Sequence, residues 1–143
     1  MKRNLALIIL LNGQKEFLLQ LRDKNAGIAP NIWSFFGGGI ESGETPEAAL
    51  FREIKEELEY KPKNPKLFLV QEYVFGGNSG AKYVFIDKYD SSQKLHLNEG
   101  EDMGWFSHER SKDLDMADYD RMILRKLAKA VDGCQSAEDE IHR

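Results

Sequence analysis

The sequence holds one cysteine, Cys134, so no internal disulfide can brace the fold. Cys134 lies in a polar stretch with no histidine beside it and reads as a buried or incidental thiol, not a nucleophile. A reducing compartment fits, and a cytoplasmic location is expected. Histidine is scarce too. Neither His96 nor His108 has a partner at metal-ligand spacing, so both read as surface residues. Long apolar runs are missing. The longest, "LALIILL" at 5–11, is far short of the roughly 20 residues that span a bilayer. It follows Lys2-Arg3 as a signal segment would, yet Asn12-Gly13 stands where a small-residue cleavage site would be needed. It reads as a buried strand, and no membrane partner is expected. Basic charge is also short: 20 Lys and Arg face 24 Asp and Glu, for a net charge of -4. Binding to a nucleic-acid polymer through a broad basic surface is therefore not expected. Small phosphorylated ligands stay open, because a bound divalent cation reverses the local sign.

What is present is ordinary for a globular domain: 41% hydrophobic and 31% charged residues. No repeat, low-complexity tract or linker divides the chain. Residues 1–133 read as one domain, and 134–143 as a flexible tail. Strands are expected over 4–11, 16–22, 32–36, 66–75 and 81–89. Asn12-Gly13 and "GGNSG" at 76–80 mark turns, and 23–31 is a loop. A short strand is expected over 94–97 and another at 104–107, entering a helix cap. An amphipathic helix is expected over 118–131, with Gly133 just beyond it. Many strands with two main helices make an α+β domain.

Residues 37–60 read "GGGIESGETPEAALFREIKEELEY", with seven glutamates among them. Thr45 is a good N-cap, Pro46 suits the first helical position, and Glu47 suits the positive end of the dipole. A helix is expected over 46–58. Leu50, Phe51, Ile54 and Leu58 form an apolar stripe on it. Glu53, Glu56 and Glu57 share an arc of about 100° beside that stripe. Clustered like charges repel, by about 0.2–0.5 kcal/mol per exposed pair. Arg52 reaches Glu56 at i+4, but Glu53 and Glu57 have no basic partner at helical spacing. The arc is either a solvated face or a set of hard oxygen donors for a divalent metal.

The spacing across the segment carries more. Gly38, five residues, Glu44, seven residues, then Arg52-Glu53-Ile54-Lys55-Glu56-Glu57 resembles the box of the Nudix hydrolases, Gly-x5-Glu-x7-Arg-Glu-U-x-Glu-Glu-x-Gly-U. Two positions depart: Glu59 stands where the family usually has glycine, and Tyr60 stands at the last aliphatic position. Phe36 replaces the proline common before the glycines. "LLQLRDKNAGIAPNIWSFFGGGIESGET" extends the likeness outward, to cover residues 4 to 130. Glu59 leaves two outcomes: a left-handed residue at the helix end, costing about 1 kcal/mol, or a helix one residue longer.

The resemblance implies an α/β/α sandwich with a mixed central sheet and a loop-helix-loop catalytic motif. It implies Mg2+-dependent hydrolysis of a phosphoanhydride in a nucleoside diphosphate linked to X, with Mn2+ a possible substitute. Glu53, Glu56 and Glu57 then correspond to metal ligands. Glu53 is also the favoured general base, with Arg52 and Glu56 beside it in the catalytic set. The Gly37 carbonyl is a further ligand, Arg52 orients a glutamate, and Glu44 supports the loop. A later loop should add a carboxylate, with Glu99 favoured over Glu101. The expected substrate is a nucleoside triphosphate, oxidised ones included, cut to the monophosphate and pyrophosphate. Nucleotide sugars and dinucleoside polyphosphates are the alternatives, and a catalytically silent nucleotide-binding module is an alternative of another class. Asp118 and Asp120 lie where relatives contact a purine, although Asp118 also suits a helix N-cap. Trp33, Phe35 and Tyr83 are able to stack on a base or simply fill the core. A monomer and a homodimer are both compatible with the sequence.

Overall fold

The computed structural model describes residues 2–24 and 31–142, with side chains described as far as Asp132. Most of the loop expected over 23–31 lies outside the described residues, and so does the side chain of Cys134.

The apolar run forms β1 (Leu5–Leu11), and its side-chain period of two explains why it is apolar throughout. Ala6, Ile8 and Leu10 enter one core with Leu50, Ile54 and Leu58 of α1 (Pro46–Leu58). Leu7 and Ile9 enter a second core with Ile123, Leu124 and Leu127 of α3 (Asp118–His142). A strand covered on both faces has no solvent side for polar residues. The sheet is thus the middle layer of an α/β/α sandwich.

The other strands are β2 (Phe17–Leu21), β3 (Trp33–Ser34), β4 (Phe36–Gly39), β5 (Lys66–Phe75), β6 (Asn78–Lys88) and β7 (Asp102–Phe106). Among the described residues they make one mixed sheet. Its order is β3-β2-β1-β6-β5, with β4 on β1 and β7 on β2. β1 and β6 run parallel, and the other pairs antiparallel. Ser107 caps the short α2 (His108–Ser111) through its side-chain oxygen, as the "GWFS" reading expects. Among the described residues, no helix is long and apolar enough to cross a membrane.

Four expectations need correction. The single strand over 32–36 is two: β3 pairs with β2, and β4 continues through three glycines to pair with β1. Glycine is depleted in strands, so that run reads as loop. It is glycine here because β4 hugs β1: a Cβ on Gly37 would lie 2.1 Å from the Ala6 carbonyl oxygen. The turn at 76–80 shrinks to Gly76-Gly77, at φ 59° and 80°, which suits a two-residue hairpin, so β6 starts at Asn78. Residues 94–97 form no strand. The His96 N–H instead donates to the Leu58 carbonyl, one of the acceptors that the end of α1 leaves open. Finally, α3 runs through Gly133 to His142, since one glycine costs only about 1 kcal/mol inside a helix.

Candidate active site

α1 is the platform. Thr45 Oγ1 accepts the Ala48 N–H at 3.1 Å, and Pro46 occupies the first turn, as the sequence predicts. On the helix Glu57 lies next to the apolar stripe and is buried, 4% exposed. Glu53 is half-buried, and Glu56, furthest round, is exposed.

Arg52 ties the segment together. Its Nε and one terminal nitrogen donate to the two oxygens of Glu44, both at 2.9 Å. The other terminal nitrogen donates to Glu53 Oε1 at 2.8 Å. The Gly39 carbonyl accepts a further bond at 3.0 Å. Glu44 also accepts the Glu41 N–H at 2.8 Å. The Arg52 guanidinium, then the Glu41 amide, pull the Glu44 carboxyl down to about 2. Glu44 and Glu53 in turn raise the pKa of Arg52. Glu44 thus clamps the glycine-rich loop to the helix, and Arg52 positions Glu53.

Glu57 Oε2 accepts the Gly37 N–H at 2.9 Å, joining α1 to β4. Burial, then the charges of Glu53 and Glu99, push its carboxyl up to about 8 against the pull of that amide and of Arg22. Glu99 reaches this place because its loop docks on the end of α1. The Asn98 N–H donates to the Glu57 carbonyl at 2.9 Å. Asn98 Nδ2 donates to the Glu56 carbonyl at 3.0 Å and to Glu59 Oε2 at 3.2 Å. A cleft lined by Gln20, Arg22, Glu57, Asn98 and Glu99 results. Glu101, exposed, does not line it; its amide donates to the Leu21 carbonyl. Glu59 takes the left-handed conformation, φ 51° and ψ 41°, so the first of its two outcomes holds.

A second pocket, of about 180 Å³, opens on the α3 side of the sheet beside Gly37 and Gly38. Phe35 and Asp120 line it. Asp118 and Trp33 do not. Asp118 is exposed in the first turn of α3. Trp33 packs edge-on to Phe106 at 4.9 Å. Tyr83 packs on the opposite core. Residues the sequence did not single out are here as well: Arg3, Arg22, Ser34, Tyr73, Lys82 and Tyr119. Ser34 Oγ is buried and has no hydrogen-bond partner. A legible signal existed for Lys82, a cation on the same face of β6 as the apolar Val84 and Ile86. Arg22 lines both the pocket and the cleft.

The carboxylates have the chemistry a hard divalent cation needs. A buried carboxyl in the field of two others is stabilised as an anion when a cation arrives. As positioned, no three His, Cys, Asp or Glu side chains converge into a ready cage among the described residues. Glu53 is turned toward Arg52, and Glu56 toward solvent. The donor set fits a metal that draws these side chains in, with no cage built beforehand.

The family model described as the NUDIX domain matches residues 1–127. A nucleoside triphosphatase NudI from Enterobacter sp. (strain 638) is 31% identical over 119 residues, 76% of this chain and 84% of that protein. An 8-oxo-dGTP diphosphatase from Escherichia coli (strain K12) is 40% identical over 74 residues, 52% of this chain and 57% of that protein. In structure, a MutT protein from Methanosarcina mazei Go1 superposes with a TM-score of 0.80 at 19% identity, over 90% of this chain and 94% of that one.

Proposed function

The chain belongs to the Nudix family and is a pyrophosphohydrolase of that family, and from this premise we propose a Mg2+-dependent nucleoside triphosphate pyrophosphohydrolase that releases the monophosphate and pyrophosphate. The observation that carries the reading is Glu57: a buried carboxyl, fixed by the Gly37 amide and facing the charges of Glu53 and Glu99. A fold built for stability alone has little use for such a group, since burying a carboxyl is costly whether it ionises or keeps its proton.

In this reading Glu53, Glu56, Glu57, Glu99 and the Gly37 carbonyl hold the cation, with Mn2+ able to substitute. The metal supplies charge neutralisation on the phosphate oxygens. Glu53 is the general base. Arg52 occupies its Oε1, which leaves Oε2 to take the proton of the attacking water. The water oxygen bonds to phosphorus, the anhydride bond breaks, and pyrophosphate leaves. Glu44 and Arg52 keep that carboxylate in place through the clamp of four hydrogen bonds around the guanidinium. Arg22, on the wall shared by cleft and pocket, lies where phosphates linking base to metal would pass.

The nucleobase occupies the pocket beside Phe35 and Asp120. The triphosphatase and the 8-oxo-dGTP diphosphatase among the relatives support a nucleoside triphosphate, oxidised forms included. The test is a panel of nucleoside triphosphates, nucleotide sugars and dinucleoside polyphosphates with Mg2+ or Mn2+, products identified by mass. Turnover of triphosphates to monophosphate and pyrophosphate is expected. Turnover confined to the other two classes would move the substrate assignment, and none at all would leave a silent nucleotide-binding module.

A further inference from the structure

Lys82 and Asp120 form an ion pair in the pocket wall. Lys82 Nζ donates to Asp120 Oδ1 at 3.1 Å, with side chains 12% and 7% exposed. The ammonium also lies 5.4 Å from the Tyr73 ring centre and 5.9 Å from that of Tyr119. On the same face of β6, Val84 and Ile86 join the apolar core. Desolvating two charges costs several kcal/mol, and a well-packed apolar pair is often as stable. Stability alone therefore gives weak reason for this pair beside Val84 and Ile86.

Its chemistry gives a better reason. An ammonium only donates, and an ionised carboxylate only accepts. Oδ1 is taken by Lys82, which leaves Oδ2 and the remaining lone pair of Oδ1 to receive N–H groups. The pair therefore offers a donor beside two acceptors. The complement is a carbonyl acceptor beside two N–H donors, and guanine presents that edge with O6, N1–H and N2–H2. Adenine offers one donor beside one ring acceptor. Uracil and thymine set a second carbonyl against the carboxylate, and cytosine sets two acceptors in a row. Oxidation of guanine at C8 leaves O6 and the N2 amine unchanged. The buried, unpartnered Ser34 hydroxyl in the same pocket leaves a further hydrogen bond for a polar ligand.

We propose that Lys82 is a specificity-determining residue, its ammonium reading O6 of a guanine-type base while Asp120 takes the N1–H and N2–H2 donors. This rests on the pocket being the base site, as proposed above.

The test compares kcat and KM for dGTP, dATP, dCTP and dTTP with Mg2+ in the wild type, in Lys82→Met and in the uncharged pair Lys82→Met with Asp120→Asn. Thermal unfolding of each variant sets the folded fraction. The wild type favours dGTP by about tenfold or more, within the range a good bidentate base contact gives. Lys82→Met raises KM for dGTP about 10- to 100-fold and changes kcat far less, while dATP shifts less than about threefold. The double variant, folded, loses the base ranking. An unchanged ranking in both folded variants, or no dGTP preference in the wild type, overturns the proposal and leaves the pair structural. Should the wild type hydrolyse none of the four, the functional reading fails separately. Equilibrium binding of GMP and AMP then decides on Lys82: a GMP preference lost in Lys82→Met upholds it, and equal binding in the wild type overturns it.

Discussion

Glu57 Oε2 accepts a 2.9 Å hydrogen bond from the Gly37 amide, joining α1 to β4 with its three glycines. That bond fixes one carboxylate at the point where helix, strand and the Glu99 loop meet. Its surroundings raise the Glu57 pKa from 4.5 to about 8, chiefly through burial and then through Glu53 and Glu99. In the unfolded chain the same group ionises near 4.5. Between these values the folded protein keeps a proton that the unfolded chain has lost. The stability tied to Glu57 is therefore complete below about pH 4.5 and declines as pH rises toward 8. In metal-free protein, the unfolding free energy of the wild type should fall relative to Glu57→Gln between about pH 4.5 and 8, by on the order of a few kcal/mol. Added Mg2+ should stabilise the wild type more at the alkaline end. Parallel pH curves for the two proteins would rule this out.

Gly38 offers a way to displace Glu53 without touching its charge. A Cβ there would stand 2.5 Å from the Glu53 carboxyl carbon and contact no other group more closely than that carboxylate. Gly38→Ala should leave the unfolding free energy within about 1 kcal/mol of wild type, because a partly exposed side chain is able to move. It should lower kcat about 10- to 100-fold, since a small misplacement of a reacting group is enough. Normal kcat in a folded Gly38→Ala protein would argue that the position of Glu53 does not limit the reaction.

Arg52→Lys keeps the charge and loses the fork. A lysine ammonium cannot hold both oxygens of Glu44, Glu53 Oε1 and the Gly39 carbonyl together. A loss of about 1–3 kcal/mol in denaturant stability is expected, with kcat down at least about tenfold and KM changed less. A variant with wild-type kcat would show that the clamp is decorative.

Glu59 holds a left-handed conformation at the end of α1. Glu59→Gly removes the strain of a side chain there, worth about 1 kcal/mol, and gives up a 3.2 Å bond from Asn98. A small gain in urea midpoint with unchanged kcat is expected. A clear loss of stability would mean that the Asn98 contact outweighs the strain.

The acidic segment was legible because its signals are local. Thr45, Pro46 and the arc of glutamates fix a helix and its faces through spacing alone, and Glu57, nearest the apolar stripe, is the carboxylate that the fold buries. The Glu99 loop was half legible. Residues 94–97 carry strand-like alternation, but the His96 amide caps the Leu58 carbonyl of α1, a tertiary partner no periodicity announces. The glycines of β4 misled for a related reason: the run looks like a loop, and only the approach of Ala6 explains it. Trp33 and Asp118 lie outside the pocket lining, in keeping with the commoner uses of an aromatic in a strand and an acid at a helix start. The role of Lys82 is not local, since its partner, Asp120, is 38 residues away in sequence.

The most direct test of the account is Mg2+-dependent release of pyrophosphate from nucleoside triphosphates by the wild type and by Glu57→Gln, with folding checked by circular dichroism. Saturable Mg2+ activation is expected in the wild type, with at least about a hundredfold loss of kcat in a normally folded Glu57→Gln. Near wild-type turnover in that variant would contradict it.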